Sequence, residues 1–328
     1  MHRRRIGSLE VSAIGLGCMG LSHAYGTPPA EEQSRAVLLH ALERGVTLFD
    51  TAALYGFGAN EELLGRVLAR HRARIVLASK GGMTGIDGKR VIDGRPASLK
   101  RDCEASLKRL RTDAIDLYYL HRWDKHVPIE DNVGALKELV AAGKVREIGL
   151  SEVSAATLRK AHAVHPVAAV QSEYSLWTRN PEIALLAACR ELGAALVPFS
   201  PLGRGFLTGT VTDATALDER DLRRQMPRFA PDNLAANRRL LQPLQALAAA
   251  IGHTLGQLAL AWVLAQGRDI VPIPGTTHRR HLDENIDAAD LVLDPRILAE
   301  LAGALDRSAV IGERYAPATQ AESDTETW

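Results

Sequence analysis

Four ionisable residues stand at or just beyond the ends of apolar runs. Asp50 closes Thr47-Leu-Phe-Asp50, and Tyr55 follows five residues later in Thr-Ala-Ala-Leu-Tyr55-Gly. Lys80 closes Ile75-Val-Leu-Ala-Ser-Lys80, and His121 closes Leu117-Tyr-Tyr-Leu-His121. Lysine is scarce in this chain and absent after Lys160, so one inside an apolar segment stands out. The four types together suit reduction of a carbonyl group. Hydride arriving at carbon builds negative charge on oxygen, and a proton donor must then lie within hydrogen-bond reach. A tyrosine hydroxyl is a weak acid, with an ordinary pKa of about 10. A neighbouring ammonium favours the phenolate, so Lys80 is expected to pull the Tyr55 pKa down. Asp50 is expected to keep Lys80 charged and oriented where an unpaired ammonium would be costly. His121 is expected to donate a hydrogen bond to the carbonyl oxygen. A lone strand-end histidine is ordinarily packing and a lone aspartate ordinarily a cap. Four such residues facing one mouth call for a chemical explanation.

The elements that must position them alternate along the chain. Apolar or β-branched runs occur at Ala13–Leu16, Thr47–Asp50, Ile75–Lys80, Ile115–His121, Val145–Ser151, Ala168–Gln171, Ala195–Ser200 and Ile270–Ile273. Segments of helical period lie between them. Pro128 opens one helix, whose Ile129, Val133, Leu136, Leu139 and Val140 share a face, and Gly143 closes it. Pro181 begins another, with Leu185, Leu186, Cys189 and Leu192 aligned and Gly193 at the stop. Ser98 is expected to cap a third, through Cys103, Leu107 and Leu110. Eight strand-plus-helix units imply an α/β protein with a parallel sheet closed into a (β/α)8 TIM barrel, whose chemistry gathers at the carboxyl ends of the strands. Arg3–Ile6 and Leu9–Val11 flank Gly7-Ser8, which predicts a β-hairpin covering the barrel bottom. With no internal repeat or low-complexity linker, residues 1–328 are expected to form one domain. Two stretches break the pattern. The polar connection 208–233 is long enough to be a lid or disordered, and the tail 312–328 is expected to be only partly ordered.

Bulk properties narrow the class further. The chain of 328 residues is 46% hydrophobic and 24% charged, with a formal net charge of +1. This gives no electrostatic reason to expect nucleic acid or an anionic membrane as partner. Cys18, Cys103 and Cys189 are widely spaced and odd in number, which points to no disulfide framework and no metal site, and suits a reducing cytoplasm. The opening Met-His-Arg-Arg-Arg-Ile-Gly lacks the apolar run of a signal peptide, and no stretch matches a membrane span. Gly15-Leu-Gly-Cys-Met-Gly20 matches a dinucleotide fingerprint, but that motif must open a helix. The following Leu-Ser-His-Ala-Tyr-Gly-Thr-Pro-Pro cannot form the first turns of one. These glycines are instead expected to let a loop lie close to a ligand.

Beyond the four residues, longer segments agree with one family. They are Gly45-Val-Thr-Leu-Phe-Asp50-Thr-Ala-Ala-Leu-Tyr55-Gly, Asp116-Leu-Tyr-Tyr-Leu-His121-Arg, Gly143-Lys-Val-Arg-Glu-Ile-Gly-Leu-Ser151, Gln171-Ser-Glu-Tyr-Ser-Leu-Trp177, Phe199-Ser-Pro-Leu-Gly-Arg-Gly205, and Pro274-Gly-Thr-Thr with Glu284-Asn285. Over almost its whole length the sequence resembles the aldo-keto reductases, particularly the branch of bacterial and plant enzymes with broad aldehyde reductases. The resemblance implies an NADPH-dependent barrel enzyme reducing aldehydes or ketones, with Asp50, Tyr55, Lys80 and His121 as catalytic tetrad and Tyr55 as general acid.

Carried over position by position, the resemblance implies that Ser151 and Gln171 hold the nicotinamide carboxamide and that Phe199 stacks on the ring. Gly17, Cys18 and Met19 then line the ribose side, and Asp50 is also expected to touch the cofactor. Ser200, Leu202 and Arg204 fall where the family binds pyrophosphate, and Gly275, Thr276, Thr277, Arg279, His281, Glu284 and Asn285 on the adenosine segment. This sequence departs from the common pattern in three places. Glu152 replaces an Asn and can accept but not donate when ionised. Phe199 replaces a common Tyr. Gly275 and His281 replace a Lys and an Arg that other branches set against the 2′-phosphate, leaving His278, Arg279 and Arg280 to supply charge. NADPH/NADP+ is therefore the expected cofactor, with NADH an alternative. The substrate is a small-molecule carbonyl compound, bounded by Leu54, Tyr55, His121, Trp123 and Trp177, with Arg228 within reach of the pocket. Two other readings compete: a barrel lyase using Lys80 as Schiff-base nucleophile, and a nicotinamide-nucleotide-binding redox sensor or regulatory subunit with little turnover.

Overall fold

Side-chain alternation along parallel strands decides which residues reach the mouth of the fold. The computed structural model describes residues 1–86, 89–305 and 307–328. It opens with the antiparallel hairpin of β1 (Arg3–Ile6) and β2 (Leu9–Ser12), followed by β3 (Leu16–Gly17), β4 (Leu48–Asp50) and β5 (Val76–Gly81). A second hairpin, β6 (Met83–Ile86) and β7 (Lys89–Ile92), precedes β8 (Ile115–Leu120), β9 (Val145–Ser151), β10 (Ala169–Glu173) and β11 (Ala195–Phe199). Seven parallel strands lie side by side in the order β11-β10-β9-β8-β5-β4-β3. Helices α1 (Glu31–Glu43), α2 (Ala59–Leu68), α3 (Pro96–Leu110), α4 (Ile129–Ala141), α5 (Ala155–Val164) and α6 (Leu185–Leu192) follow the strands in turn. After β11 come α7 (Pro231–Arg238), α8 (Leu241–Ala250), α9 (Leu255–Ala265), α10 (Arg279–Asp287), α11 (Pro295–Ala304) and α12 (Pro317–Gln320). The fold is a (β/α)8 barrel.

The eighth expected strand is reduced to single bonds. Pro272 and Pro274 have no N–H, so 270–274 cannot form a continuous ladder. The segment still closes the sheet. Val271 N–H donates to Leu196 O (2.9 Å) and Ile273 N–H to Pro198 O (3.0 Å). Gly15 N–H donates to Pro272 O (3.0 Å) and Gly17 N–H to Pro274 O (3.3 Å) on the other edge.

Leu48, Ala78, Leu117, Tyr119, Ala169, Val197 and Ile273 pack together inside the barrel. Phe49, Leu77, Tyr118, Leu120, Ile148, Leu150 and Val170 face outward into the layer beneath the helices. Ile6, Leu9 and Val11 join the inner cluster, so the first hairpin plugs the barrel's lower end. Arg4 cinches it there, donating to Gly267 O (2.7 Å), Leu264 O (2.9 Å) and Ile270 O. Gly149 admits the Tyr119 ring to the interior, because a Cβ would stand 2.4 Å from that ring.

Two local expectations change. The α3 N-cap is Arg95, and Ser98 lies inside the first turn with its hydroxyl donating to Asp93 (2.7 Å). Pro181 begins a separate 3-10 turn, Asn180–Glu182, and α6 starts only at Leu185. The tail packs on the barrel through buried Arg314, which donates to Glu152, and half-buried Tyr315, which accepts from Arg204. Among the described residues no single helix is long and apolar enough to cross a membrane.

Candidate active site

The inward parity of the strands ends in polar groups. Asp50 lies two residues beyond Leu48 on β4, Lys80 two beyond Ala78 on β5, and His121 two beyond Tyr119 on β8. Ser151 and Phe199 end the same columns of β9 and β11, and Gln171 stands two residues beyond Ala169 on β10, one step before Glu173. Tyr55 enters from the turn after β4, at the start of the 3-10 segment Tyr55–Gly58. The four expected tetrad side chains are brought together. Lys80 Nζ donates to Asp50 Oδ1, to Thr51 O (2.9 Å) and to Tyr55 OH (3.2 Å). The His121 ring meets Tyr55 edge-on, 5.8 Å between centroids. Gln171 Nε2 donates to the second Asp50 oxygen (2.8 Å).

This arrangement fixes both charge and direction. Burial works against the Lys80 ammonium, but Asp50 and Tyr55 hold its pKa above the ordinary lysine value. With all three N–H donors engaged and the charge retained, Lys80 is poorly placed to act as a Schiff-base nucleophile, which disfavours the lyase reading. Because Lys80 donates to the Tyr55 oxygen, the phenolic hydrogen must point elsewhere. The expected lowering of the Tyr55 pKa does not occur. Burial raises it, and the pull of Lys80 is partly offset by Asp50. Tyr55 therefore carries its proton throughout the neutral range. His121 is shifted well below its ordinary value, first by burial and then by Lys80, Arg122 and Arg90, so its ring is neutral. Its Nδ1 is buried without a partner.

A cavity of about 910 Å³ opens over these groups and extends to the start of α10. Gly17, Met19, Asp50, Leu54, Tyr55, His121, Ser151, Gln171, Phe199, Ser200, Leu202, Arg204, Gly275, Thr276, Thr277, His281, Glu284 and Asn285 line it. Five expected residues do not. Lys80 is fully buried beneath Asp50 and Tyr55. Cys18 is fully buried, its thiol toward Leu16 O. Arg279 is exposed and does not line the cavity, whereas its neighbour Arg280 does. Trp123 donates its indole N–H to Val127 O (2.8 Å). Trp177 stacks on Phe206 at 3.8 Å between centroids and meets Phe229 edge-on, so it belongs to packing beneath the loops. Arg228 likewise supports Trp177 from behind, donating to Trp177 O (3.0 Å).

The chain belongs to the aldo/keto reductase family. The family model matches residues 13–306. An aldo-keto reductase of Schizosaccharomyces pombe, named for NADP(+), is 46% identical over 321 residues, covering 96% of this chain and 94% of that protein. A probable aldo-keto reductase of Glycine max is 47% identical over 309 residues, covering 93% and 89%. Among solved structures, a glycerol dehydrogenase of Gluconobacter oxydans superposes with a TM-score of 0.85 at 28% identity, covering 96% of this chain and 98% of that one. A Klebsiella pneumoniae aldo/keto reductase in complex with NADP and acetate gives 0.73 at 28% identity, with coverage of 96% and 98%. Family membership makes this aldo/keto reductase an oxidoreductase of carbonyl compounds in the general sense.

The residues present fit a nicotinamide dinucleotide. After β11, Ser200, Gly203, Arg204 and Gly205 all take positive φ (48°, 56°, 57° and 90°). Such a turn collects backbone N–H groups on one side and forms a concavity for anions. Arg280 and His281 add basic groups at the far end of the cavity. One expected contact is already committed, since Arg204 Nη2 donates to Tyr315 OH (2.9 Å) and Glu173 Oε2 (3.3 Å).

The departure at Glu152 has a structural reason. Its carboxylate faces away from the cavity, accepting from Ser172 Oγ (2.9 Å), Glu173 N–H (3.0 Å) and Arg314 Nη2 (2.6 Å). Burial opposes its charge, but Arg314 and Arg122 hold the Glu152 pKa below the ordinary range. Glu173, on the same arginine, is pushed down to about 2. Where the resemblance implies an amide, this chain places an anchor for its tail. The tail brings Tyr315 and Glu322 to the cavity wall. The 208–233 connection also folds across it: Leu222 N–H donates to Ala24 O (2.9 Å), and the Arg223 guanidinium lies 5.1 Å from the Tyr25 ring centroid.

Sequence reasoning missed Tyr25, Met83, Arg90, Arg122 and Tyr315 as lining residues. For Arg90 a signal existed, since an Asp-Gly pair sits in the middle of Met83–Ile92 and favours a tight hairpin. Its two residues lie outside the described ones. Tyr315 carried no signal, standing alone in a polar stretch.

Proposed function

We propose that this aldo/keto reductase reduces aldehydes and ketones to alcohols with NADPH, and that Tyr55 delivers the proton. The observation that carries the reading is the triple engagement of Lys80 Nζ with Asp50, Thr51 O and Tyr55 OH beneath an open cavity. Bound across the cavity with Ser151, Gln171 and Phe199 around its nicotinamide, the cofactor would supply the hydride. Every other part of the step rests on the protein. A carbonyl oxygen seated between Tyr55 and His121 accepts the phenolic hydrogen, which the Lys80 contact leaves free. As negative charge grows on that oxygen, the Tyr55 proton moves to it, and the charge left on the phenolate is stabilised by the Lys80 ammonium at 3.2 Å. Neutral His121 orients the oxygen without competing as an acid. Leu54 and Met83 give the substrate an apolar wall. The anion concavity after β11, the basic Arg280 and His281, and the NADP(+) in the name of the fission-yeast relative support NADPH over NADH.

The test is a panel of aldehydes and ketones, including 4-nitrobenzaldehyde, assayed with NADPH and NADH side by side. Oxidation of NADPH is expected, with kcat/KM favouring it over NADH by about tenfold or more, the effect of one charge-assisted contact. Tight NADPH binding without turnover of any panel member would contradict the reading and favour a redox sensor.

A further inference from the structure

The substrate end of the cavity holds an uncompensated cation. Five arginines line the cavity: Arg90, Arg122, Arg204, Arg223 and Arg280. Four have a carboxylate at ion-pair distance, namely Glu322, Glu173, Asp221 and Glu284 respectively. Lys80 has Asp50. Among the described residues Arg122 has none. Glu152, a carboxylate that feels its charge, is already engaged through both oxygens by Ser172, Glu173 N–H and Arg314. Arg122 uses a single nitrogen within the protein: Nη1 donates to His121 O (2.7 Å) and Ser151 Oγ (3.2 Å). Those two bonds hold the guanidinium beside the tetrad, while Nε and Nη2 donate to no described residue. A guanidinium edge with free donors in a partly enclosed site is suited to a carboxylate, which it can bind through two parallel hydrogen bonds.

We infer that Arg122 is a specificity-determining residue, and that the preferred substrates are carbonyl compounds bearing a carboxylate. This rests on the reductase reading and narrows it. One unpaired guanidinium balances one negative charge, which favours a carboxylate over a doubly charged phosphate ester. The rest of the wall suits the carbon skeleton between the two groups, with Leu54, Met83 and the Tyr315 ring on the lining.

The test compares 4-formylbenzoate with its neutral methyl ester, using the full chain and saturating NADPH. The two present the same aldehyde and differ in charge. The kcat/KM ratio of acid to ester is expected to reach about tenfold to a hundredfold. It should arise in KM and shrink as salt is raised. Arg122→Gln should bring the ratio close to one, and Arg122→Lys should restore most of it by returning the charge. NADPH affinity, measured separately by fluorescence titration, should move little in either variant. A wild-type ratio near one, a ratio unchanged in Arg122→Gln, or a loss of NADPH affinity that accounts for the whole effect would overturn the inference. Failure of the wild-type protein to reduce either compound would overturn the reductase reading itself, and this inference with it.

Discussion

At the scale of single residues, the site depends on proton positions that burial controls. Tyr55 is held above its ordinary value chiefly by burial, and His121 well below its own for the same reason. Tyr55 thus stays a neutral acid and His121 a neutral ring across the physiological range. The kcat/KM profile for reduction is expected to stay flat between about pH 6 and pH 9, falling only where a buried phenol deprotonates. A clear inflection near the ordinary histidine value in the pH dependence would mean that His121 carries the proton instead. Asp50, Lys80 and His121 were legible because each ends an apolar run at a barrel strand, and spacing of two along a strand keeps side chains on one face. The sign of the Tyr55 shift was not legible. The sequence names Lys80 as neighbour but says nothing of how deeply both are buried, and here depth outweighs charge.

At the scale of elements, the tail and the loop after β9 are joined by buried charge. Glu152 takes a left-handed backbone conformation (φ 55°) and passes its carboxylate to Arg314, both almost wholly buried. Glu152→Gln leaves Glu173 (3.4 Å) as the one carboxylate at ion-pair distance from Arg314 among the described residues. Breaking one partner of a buried pair typically costs about 3–5 kcal/mol. The remaining carboxylate reduces that here, so we expect roughly 2–3 kcal/mol of lost stability by denaturant unfolding. Faster proteolysis at the tail should accompany it. Stability within experimental error of wild type would show that the pair does not anchor the tail. The sequence marked Glu152 as a departure without revealing its cause, because Arg314 lies 162 positions away in a segment without periodicity. Polar composition suggested partial order there. A few well-placed groups tie the segment to the barrel, Arg314 by ion pairs and Tyr315 by a hydrogen bond from Arg204. The eighth barrel strand illustrates the opposite error. Ile270–Ile273 has strand composition, but Pro272 and Pro274 remove donors, so it closes the barrel without becoming a ladder.

At the scale of the whole molecule, the buried titratable groups set an acid limit on stability. His121, Glu152 and Glu173 all bind protons less readily in the folded chain than in an unfolded one. Their contribution is full above the unfolded pKa and is lost as pH falls toward the folded value. Melting temperature is therefore expected to decline in two stages, first below about pH 6.5 as unfolded His121 takes up protons, then below about pH 4.5 as the two glutamates follow. A melting temperature constant from pH 7 to pH 4 would contradict that assignment. The same architecture that buries these groups also gathers six strand ends and three long connections around one cavity. The barrel could be anticipated from alternating periodicities, and the lining from the parity of each strand. The parts contributed by the tail and by the second hairpin could not.

The claim beneath all of this is that Tyr55, fixed by Lys80, gives up the proton. Single-turnover reduction of 4-nitrobenzaldehyde by the NADPH-loaded Tyr55→Phe variant measures it directly. Cofactor affinity is expected to be retained while the reaction step slows by about 10²- to 10⁴-fold, the usual contribution of a general acid. A variant that turns over at the wild-type rate would contradict it.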